Sequence, residues 1–177
     1  INMQEAILNE AREGLSKLGY TLESMLSNNE DSNSEVWLAT YKEAEKTEQR
    51  ALKFSSIVVF NPTKIRTGNE LKRLDQLAER ESELLPRLNH PNIPSFKGFY
   101  QVPILQSAVN LNILATEYIP MKNLQSILEK GKKISDEQQL KILMVDSLSA
   151  LSYIHENPES PVLHRDIKPS NILFDGK

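Results

Sequence analysis

The stretch His164-Arg165-Asp166-Ile167-Lys168-Pro169-Ser170-Asn171 brings an acid, a base and an amide together at short fixed spacing. Asp166 can accept a proton. Lys168, two residues on, can present its ammonium to a phosphate. Asn171 offers a side-chain oxygen that suits a hard cation such as Mg2+. Phosphoryl transfer asks for little covalent chemistry from a protein. It asks for a positioned nucleophile and for neutralised charge on the transferred group. These eight residues can supply part of both.

The order of residues resembles the catalytic loop of the eukaryotic-type protein kinases, H-R-D-x-x-x-x-N. Lys168-Pro169-Ser170 after Asp166-Ile167 resembles the Ser/Thr branch rather than the Tyr branch. The resemblance implies an α+β, protein-kinase-like fold. Its N-lobe would hold a five-stranded antiparallel sheet and one major helix, followed by a hinge, the first helices of the C-lobe and the catalytic loop. It implies transfer of the ATP γ-phosphoryl group to a Ser or Thr hydroxyl of a protein substrate, with ATP and Mg2+ as cofactors. In that scheme Asp166 orients the hydroxyl and accepts its proton, Lys168 stabilises the transferred group, and Asn171 holds one Mg2+. Arg165 suits phosphate recognition during activation, because a guanidinium binds phosphate well.

Upstream, Ala51-Leu52-Lys53-Phe54 matches in type the Val-Ala-Ile-Lys pattern of the third strand. Ala51 is small enough to let an adenine ring lie against the strand, and Lys53 is expected on the α and β phosphates. A lone Lys in an apolar strand is usually a snorkelling residue, but here a plausible helix follows. Leu71, Leu74, Leu77, Leu84, Leu85 and Leu88 mark that helix as amphipathic, after a capping-box spacing at Thr67-Gly68-Asn69-Glu70. Glu81, within Arg80-Glu81-Ser82-Glu83, is expected to pair with Lys53, with Glu79 and Glu83 as solvated neighbours. Thr116 corresponds to the residue at the back of the nucleotide pocket. Glu117, Tyr118 and Ile119 correspond to the hinge, whose backbone would bond the adenine edge. Leu173 corresponds to the pocket floor, and Leu26 and Val36, flanking the first turn, join the nucleotide contacts.

That first turn departs from the family. Strands are expected over Tyr20 to Leu26 and Val36 to Tyr41, joined by the polar run Ser27 to Glu35. Counting back from Val36 puts Asn29, Asp31 and Ser34 where a phosphate-covering loop carries glycines. Glycine lets backbone N–H groups approach phosphate oxygens. Asn and Asp tolerate the left-handed backbone, so the turn can survive, but Glu30 and Asp31 bring negative charge towards a polyphosphate. The alternative reading is therefore a pseudokinase, or a truncated regulatory or binding module without catalysis.

The remaining elements follow from periodicity. Gln4 to Lys17 reads as a helix, with Ile7, Leu8, Ala11, Leu15 and Leu18 at helical spacing and a stop at Gly19. Packing on the body of the domain is the simplest reading of this helix, and a regulatory or dimerising role the sharper one. Glu43 to Gln49 reads as a charged connection, and Ile57 to Phe60 as a strand extension or edge cover. Pro86 bends or ends the second helix, and His90 reads as a turn and packing residue. Strands are expected over Ser95 to Val102 and Asn110 to Tyr118. A short helix is expected over Leu124 to Lys130, and a long one to near Glu156 behind a capping box at Ser135-Asp136-Glu137-Gln138. Ile172 to Phe174 should form a last short strand. The domain reading is an extension over 1–18, N-lobe and hinge over 19–119, and a partial C-lobe over 120–177.

The 177 residues carry a formal net charge of −3, with 39% hydrophobic and 25% charged residues. This suits a globular domain with a real core and gives no electrostatic case for nucleic acid. No apolar run is long enough to cross a bilayer, and the N-terminal residues lack a signal-peptide layout. The expectation is a cytoplasmic protein without membrane or nucleic-acid partners. With no Cys there is no disulfide and no thiol nucleophile. Asp175-Gly176 is not the Asp-Phe-Gly motif, since no Phe separates the two, and reads as a hairpin tip. The family would continue with that motif, the activation segment and most of the helical lobe. Residues 1–177 alone are therefore expected to turn over negligibly. The apolar face of the long helix is expected to need the remainder of the C-lobe, a partner chain or self-association.

Overall fold

A computed structural model describes residues 3–29, 34–55, 68–105, 109–131, 133–157 and 161–175. They divide into two compact units, one of residues 1–87 and 95–118, the other of residues 88–94 and 119–177.

The first unit opens with α1 (Met3–Lys17), which runs into a sheet of five antiparallel strands in the order β1-β2-β3-β5-β4. These are β1 (Tyr20–Asn29), β2 (Ser34–Glu43), β3 (Lys46–Ser55), β4 (Phe96–Ile104) and β5 (Val109–Glu117). Alternation along the strands gives the sheet two faces of different character. One face presents Leu22, Ala39, Leu52, Phe54, Val102, Leu111, Ile113 and Ala115, which form the core together with Ile7, Ala11 and Leu15 of α1. Spacing of 4 places the three α1 residues on one stripe. Each large one, fully buried, contributes about 1.5–3 kcal/mol. The helix is further held by Glu10, whose Oε2 accepts the Leu105 N–H at 2.7 Å. Gly19 then turns the chain into β1 at φ 88, and its carbonyl accepts the Lys42 N–H at 2.9 Å.

At one end of this core sits a buried polar cluster. Arg50 is 9% exposed, with its guanidinium carbon 3.6 Å from the Tyr41 ring centroid. It donates from Nη1 to the Tyr20 hydroxyl at 2.7 Å and from Nε to Glu48 at 2.6 Å. The Tyr20 and Tyr100 hydroxyls share a 3.0 Å hydrogen bond. Burial and the bond with Tyr100 push the Tyr20 phenol well above its ordinary range, against the pull of Arg50. Burial works against the Arg50 charge, but the bonds with Tyr20 and Glu48 outweigh it and raise its pKa.

The expected connection over Glu43 to Gln49 is corrected. Glu43 pairs with Lys46 across a two-residue loop that holds Ala44 at φ 52, and β3 already runs from Lys46. Lys46 to Gln49 pair with β2 alone and are exposed, so this end of the strand needs no apolar residues. The helix after β3, α2 (Gly68–Leu84), ends in a 3-10 turn over Leu85–Arg87 that takes in Pro86. Ala78, not Leu77, faces inward: Ala78 is buried and Leu77 is 51% exposed. Thr67 and Ile57 to Phe60 lie outside the described residues.

The second unit holds β6 (Lys122–Asn123), α3 (Leu124–Glu129), α4 (Glu137–His155) and β7 (Leu173–Phe174), with β6 and β7 paired. Asn123 caps α3 by accepting the Ser126 N–H. Asp136, one residue later than the capping-box spacing suggests, caps α4 by accepting from the N–H groups of Gln138 and Gln139. The segment 88–94 packs against α4. The His90 ring lies 3.1 Å from Ser149 Oγ, and the Tyr153 hydroxyl accepts the Asn89 N–H at 3.0 Å. Along α4, Ile154 is buried, whereas Met144, Val145 and Leu148 are more than half exposed. Among the described residues no helix is long and apolar enough to cross a membrane.

Candidate active site

Strand register collects four of the expected nucleotide-contacting residues of the first unit on one face. Lys53 lies opposite Val36 on β2 and Leu114 on β5, and Ala51 lies opposite Leu38 and Thr116. Residues directly opposite each other in an antiparallel pair share a face. Val36, Ala51, Lys53 and Thr116 therefore stand together on the face opposite the α1 core. Leu26 does not follow this parity. It falls in a register shift between Met25 and Ser27, and Ser27 is the residue opposite Val36. Of the residues at the expected glycine positions, Asn29 and Ser34 pair across β1 and β2, and Asp31 lies outside the described residues. Glu35 is buried and accepts from Trp37 Nε1 at 3.1 Å.

On the same face, Lys53 Nζ lies 2.9 and 3.1 Å from the two carboxylate oxygens of Glu81 on α2. Both side chains are 38% exposed, so solvent screens the pair and its weight in stability is small. Its value is geometric, since it fixes an ammonium at a definite place on the sheet. Glu79 and Glu83 are exposed.

Of the residues expected to form a hinge, Glu117 and Tyr118 belong to the first unit and Ile119 to the second. Glu117 donates its N–H to the Ser95 carbonyl at 2.9 Å, and its Oε1 accepts the Ser95 N–H at 2.7 Å. Its amide hydrogen is thereby committed within the sheet. Tyr118 and Ile119 are half-buried, and the Ile119 carbonyl accepts the Met121 N–H at 2.8 Å.

In the second unit the loop that opened the sequence reading folds onto itself. Asp166 Oδ2 receives Lys168 Nζ at 3.1 Å and Asn171 Nδ2 at 3.0 Å, and Asn171 Nδ2 also reaches the Asp166 carbonyl at 2.8 Å. The turn that returns Asn171 is a single 3-10 turn over Pro169–Asn171, and β7 follows it directly. Proline suits the first position of such a turn, where no N–H is needed. The bonds from Lys168 and Asn171 hold the Asp166 carboxyl below its usual range. The same two donors fix the orientation of the carboxylate. Arg165 takes φ 61, a left-handed backbone rare for a residue with a side chain. Strain of this kind gathers where a neighbouring group must be aimed, and Asp166 is next in sequence. Leu173 stands in β7, 43% exposed, with Phe174 buried beside it.

The donor set suits a hard cation only in part. Asn171 turns its amide nitrogen to Asp166, which leaves Oδ1 as the atom for a metal. Among the described residues no group of three or more His, Asp or Glu could hold an ion unaided. Mg2+ at phosphate sites takes one or two protein oxygens and completes its shell with water and phosphate, so a single Asn171 oxygen fits that use.

Residues missed in the sequence are Asp75 and Asn112. The Asn112 amide donates to Asp75 Oδ1 on α2 at 2.7 Å and accepts from Gln101 Nε2 at 3.0 Å. A polar residue inside the apolar run Leu111 to Ala115 was the available signal.

A family model described as the protein kinase domain matches residues 39–177. The serine/threonine-protein kinase SSK22 of Saccharomyces cerevisiae is 35% identical over 124 residues, 70% of this chain and 9% of that protein. The MAP kinase kinase kinase SSK2 of the same yeast is 34% identical over 119 residues, 67% of the chain and 7% of its own length. The serine/threonine-protein kinase 12 of Arabidopsis thaliana is 37% identical over 95 residues, 54% of the chain and 19% of that protein. The chain thus spans less than a fifth of each of these relatives. The match takes in Lys53, Glu81 and the whole Asp166 loop and leaves α1 and β1 outside it. By that match and by its own five-stranded sheet, the chain belongs to the protein kinase domain family.

Proposed function

We propose that the protein is an ATP-dependent serine/threonine kinase that transfers the γ-phosphoryl group to a hydroxyl of a protein substrate. The observation that carries this reading is the hydrogen-bonded set of Asp166, Lys168 and Asn171. A carboxylate held by two donors can orient a Ser or Thr hydroxyl and take its proton. Lys168 places positive charge beside the group in flight. Lys53, fixed by Glu81, serves the phosphates, and Ala51, Val36 and Thr116 line the adenine side. Glu117, Tyr118 and Ile119 are the hinge, with Leu173 and Leu26 as further contacts. Asn171 would hold Mg2+ through Oδ1, where the ion supplies charge neutralisation on the phosphates.

The test is phosphate transfer by the full-length protein to a Ser/Thr-containing protein substrate in the presence of Mg2+. Asp166→Asn should lower kcat by about a thousandfold or more while nucleotide still binds. Unchanged turnover in that variant refutes the assignment. Residues 1–177 contain no Asp-Phe-Gly, so this segment alone should show negligible turnover, for want of one metal ligand.

A second reading, a kinase fold that binds without transferring, has its own support in Asn29, Asp31 and Ser34 at the glycine positions. Nucleotide titration with and without Mg2+ separates the two. Mg2+-dependent binding favours the enzyme, and no binding in either condition favours the module.

A further inference from the structure

The ion pair between Lys53 and Glu81 is a single joint between two long, flexible side chains, each 38% exposed. One such joint cannot fix both the rotation and the axial position of a helix. Asn112 supplies a different kind of contact. It is 1% exposed, against 8% for Glu35 and 9% for Arg50, and its arm has only two rotatable bonds. Both ends of its amide are used, Nδ2 on Asp75 of α2 and Oδ1 on Gln101 of β4. Gln101 is opposite Asn112 across the β4–β5 ladder, so the amide is oriented by the sheet itself. A buried amide in this state is costly to move, because displacement strands its polar atoms without partners.

The placement relative to Lys53 follows from register. Asn112 is opposite Ser55, and Leu114 is opposite Lys53. Asn112 and the Lys53 position are thus on one face of adjacent strands, a step of two residues or about 7 Å apart. Asp75 and Glu81 are six residues apart on α2, about 9 Å along its axis. Among the described residues two polar contacts thus tie the helix to the sheet at comparable spacing, one through a buried, stiff amide and the other half-exposed and adjustable.

We propose that Asp75 and Asn112 are positioning residues that fasten α2 to the sheet and thereby hold Glu81 where it can pair with Lys53. This deepens the kinase reading and rests on it for its catalytic consequence. Asp75→Asn keeps an acceptor for the Asn112 amide, Asp75→Ala removes it, and Asn112→Leu keeps the volume while removing both bonds.

The experiment uses the full-length protein with two measurements on each variant. Hydrogen exchange of the α2 amides reads the fastening without reference to activity. Steady-state kinetics reads its consequence. Asp75→Ala and Asn112→Leu should speed α2 exchange and lower kcat by about tenfold, with the KM for the protein substrate unchanged, as a misplaced but intact group does. Asp75→Asn should retain most of both properties. In a Glu81→Gln background, Asp75→Ala should add little further loss, because the two act through one joint. The proposal is overturned if α2 exchange is unaltered, if exchange rises with kcat unchanged, or if the losses simply multiply in the double variant. Should the wild-type protein transfer no phosphate, the kinase reading falls, and exchange alone then decides whether the fastening exists.

Discussion

Gly19 ends α1 at φ 88, and a Cβ built there would sit 2.8 Å from the Lys42 carbonyl oxygen. Backbone preference and backbone contact both select glycine. Gly19→Ala should cost about 1–2 kcal/mol or more, seen as a fall in denaturation midpoint. The matched change at Gly68, where a Cβ meets nothing within 4 Å, should show no such loss. Asp166 makes a prediction in pH. Donation from Lys168 and Asn171 lowers its pKa in the folded protein. Any stability it contributes is therefore present above its unfolded value and lost as pH falls through the lower folded one. The group is exposed, so that contribution is small, and catalysis reports the shift better. The acid limb of kcat/KM for the full-length protein should fall below an ordinary Asp value of about 3.9. Lys168→Met should move the limb upward. At this scale the sequence was legible where chemistry is local. Eight consecutive residues announced the loop, because its partners are two and five positions apart. Arg50 was not legible, since a charged residue in an alternating strand reads as solvated until Tyr20, Tyr41 and Glu48 close around it.

Among the elements, α1 shows most clearly how packing extends beyond the family match. Its stripe of Ile7, Ala11 and Leu15 was readable from spacing, and each of the three is at most 2% exposed against the sheet. Leu15→Ala should destabilise the protein by about 2–5 kcal/mol, the cost of a core cavity. Leu18→Ala, at a position 40% exposed, should cost less than 1 kcal/mol. Chemical denaturation of both variants measures the difference. Strands were legible where one face is buried, as over Val36 to Tyr41. The outer half of β3 was hidden because Lys46-Thr47-Glu48-Gln49 pairs on one side only and buries nothing. A two-residue strand such as β6 has no period to detect. Asn112 was hidden for another reason. A polar residue in an apolar run shows that something must cover or pair with it, but not that the partner is Asp75 of α2, 37 residues away.

For the whole molecule, the two units differ in how well they bury their apolar residues. The first closes a core between α1 and the sheet. In the second, Leu140, Ile142, Met144, Val145 and Leu148 of α4 are 38–60% exposed. A polypeptide of residues 1–177 should therefore associate with increasing concentration in sedimentation velocity. Met144→Glu with Leu148→Glu should reduce that association with little change in the first unit's stability. The fold class was legible at this scale because strand and helix signals came in family order. The extent of exposure was not, since a leucine pattern states which side of a helix is apolar but not what lies against it.

Trp37 is the sequence's one tryptophan, and it sits where α1 meets the sheet. The Arg12 guanidinium of α1 lies 5.7 Å from its ring centroid, and Phe54 stacks at 6.2 Å on the sheet side. The protein thus carries a built-in fluorophore at the seam between its N-terminal helix and the β-strands. Its emission wavelength and quenching report whether that helix is seated, without any added label.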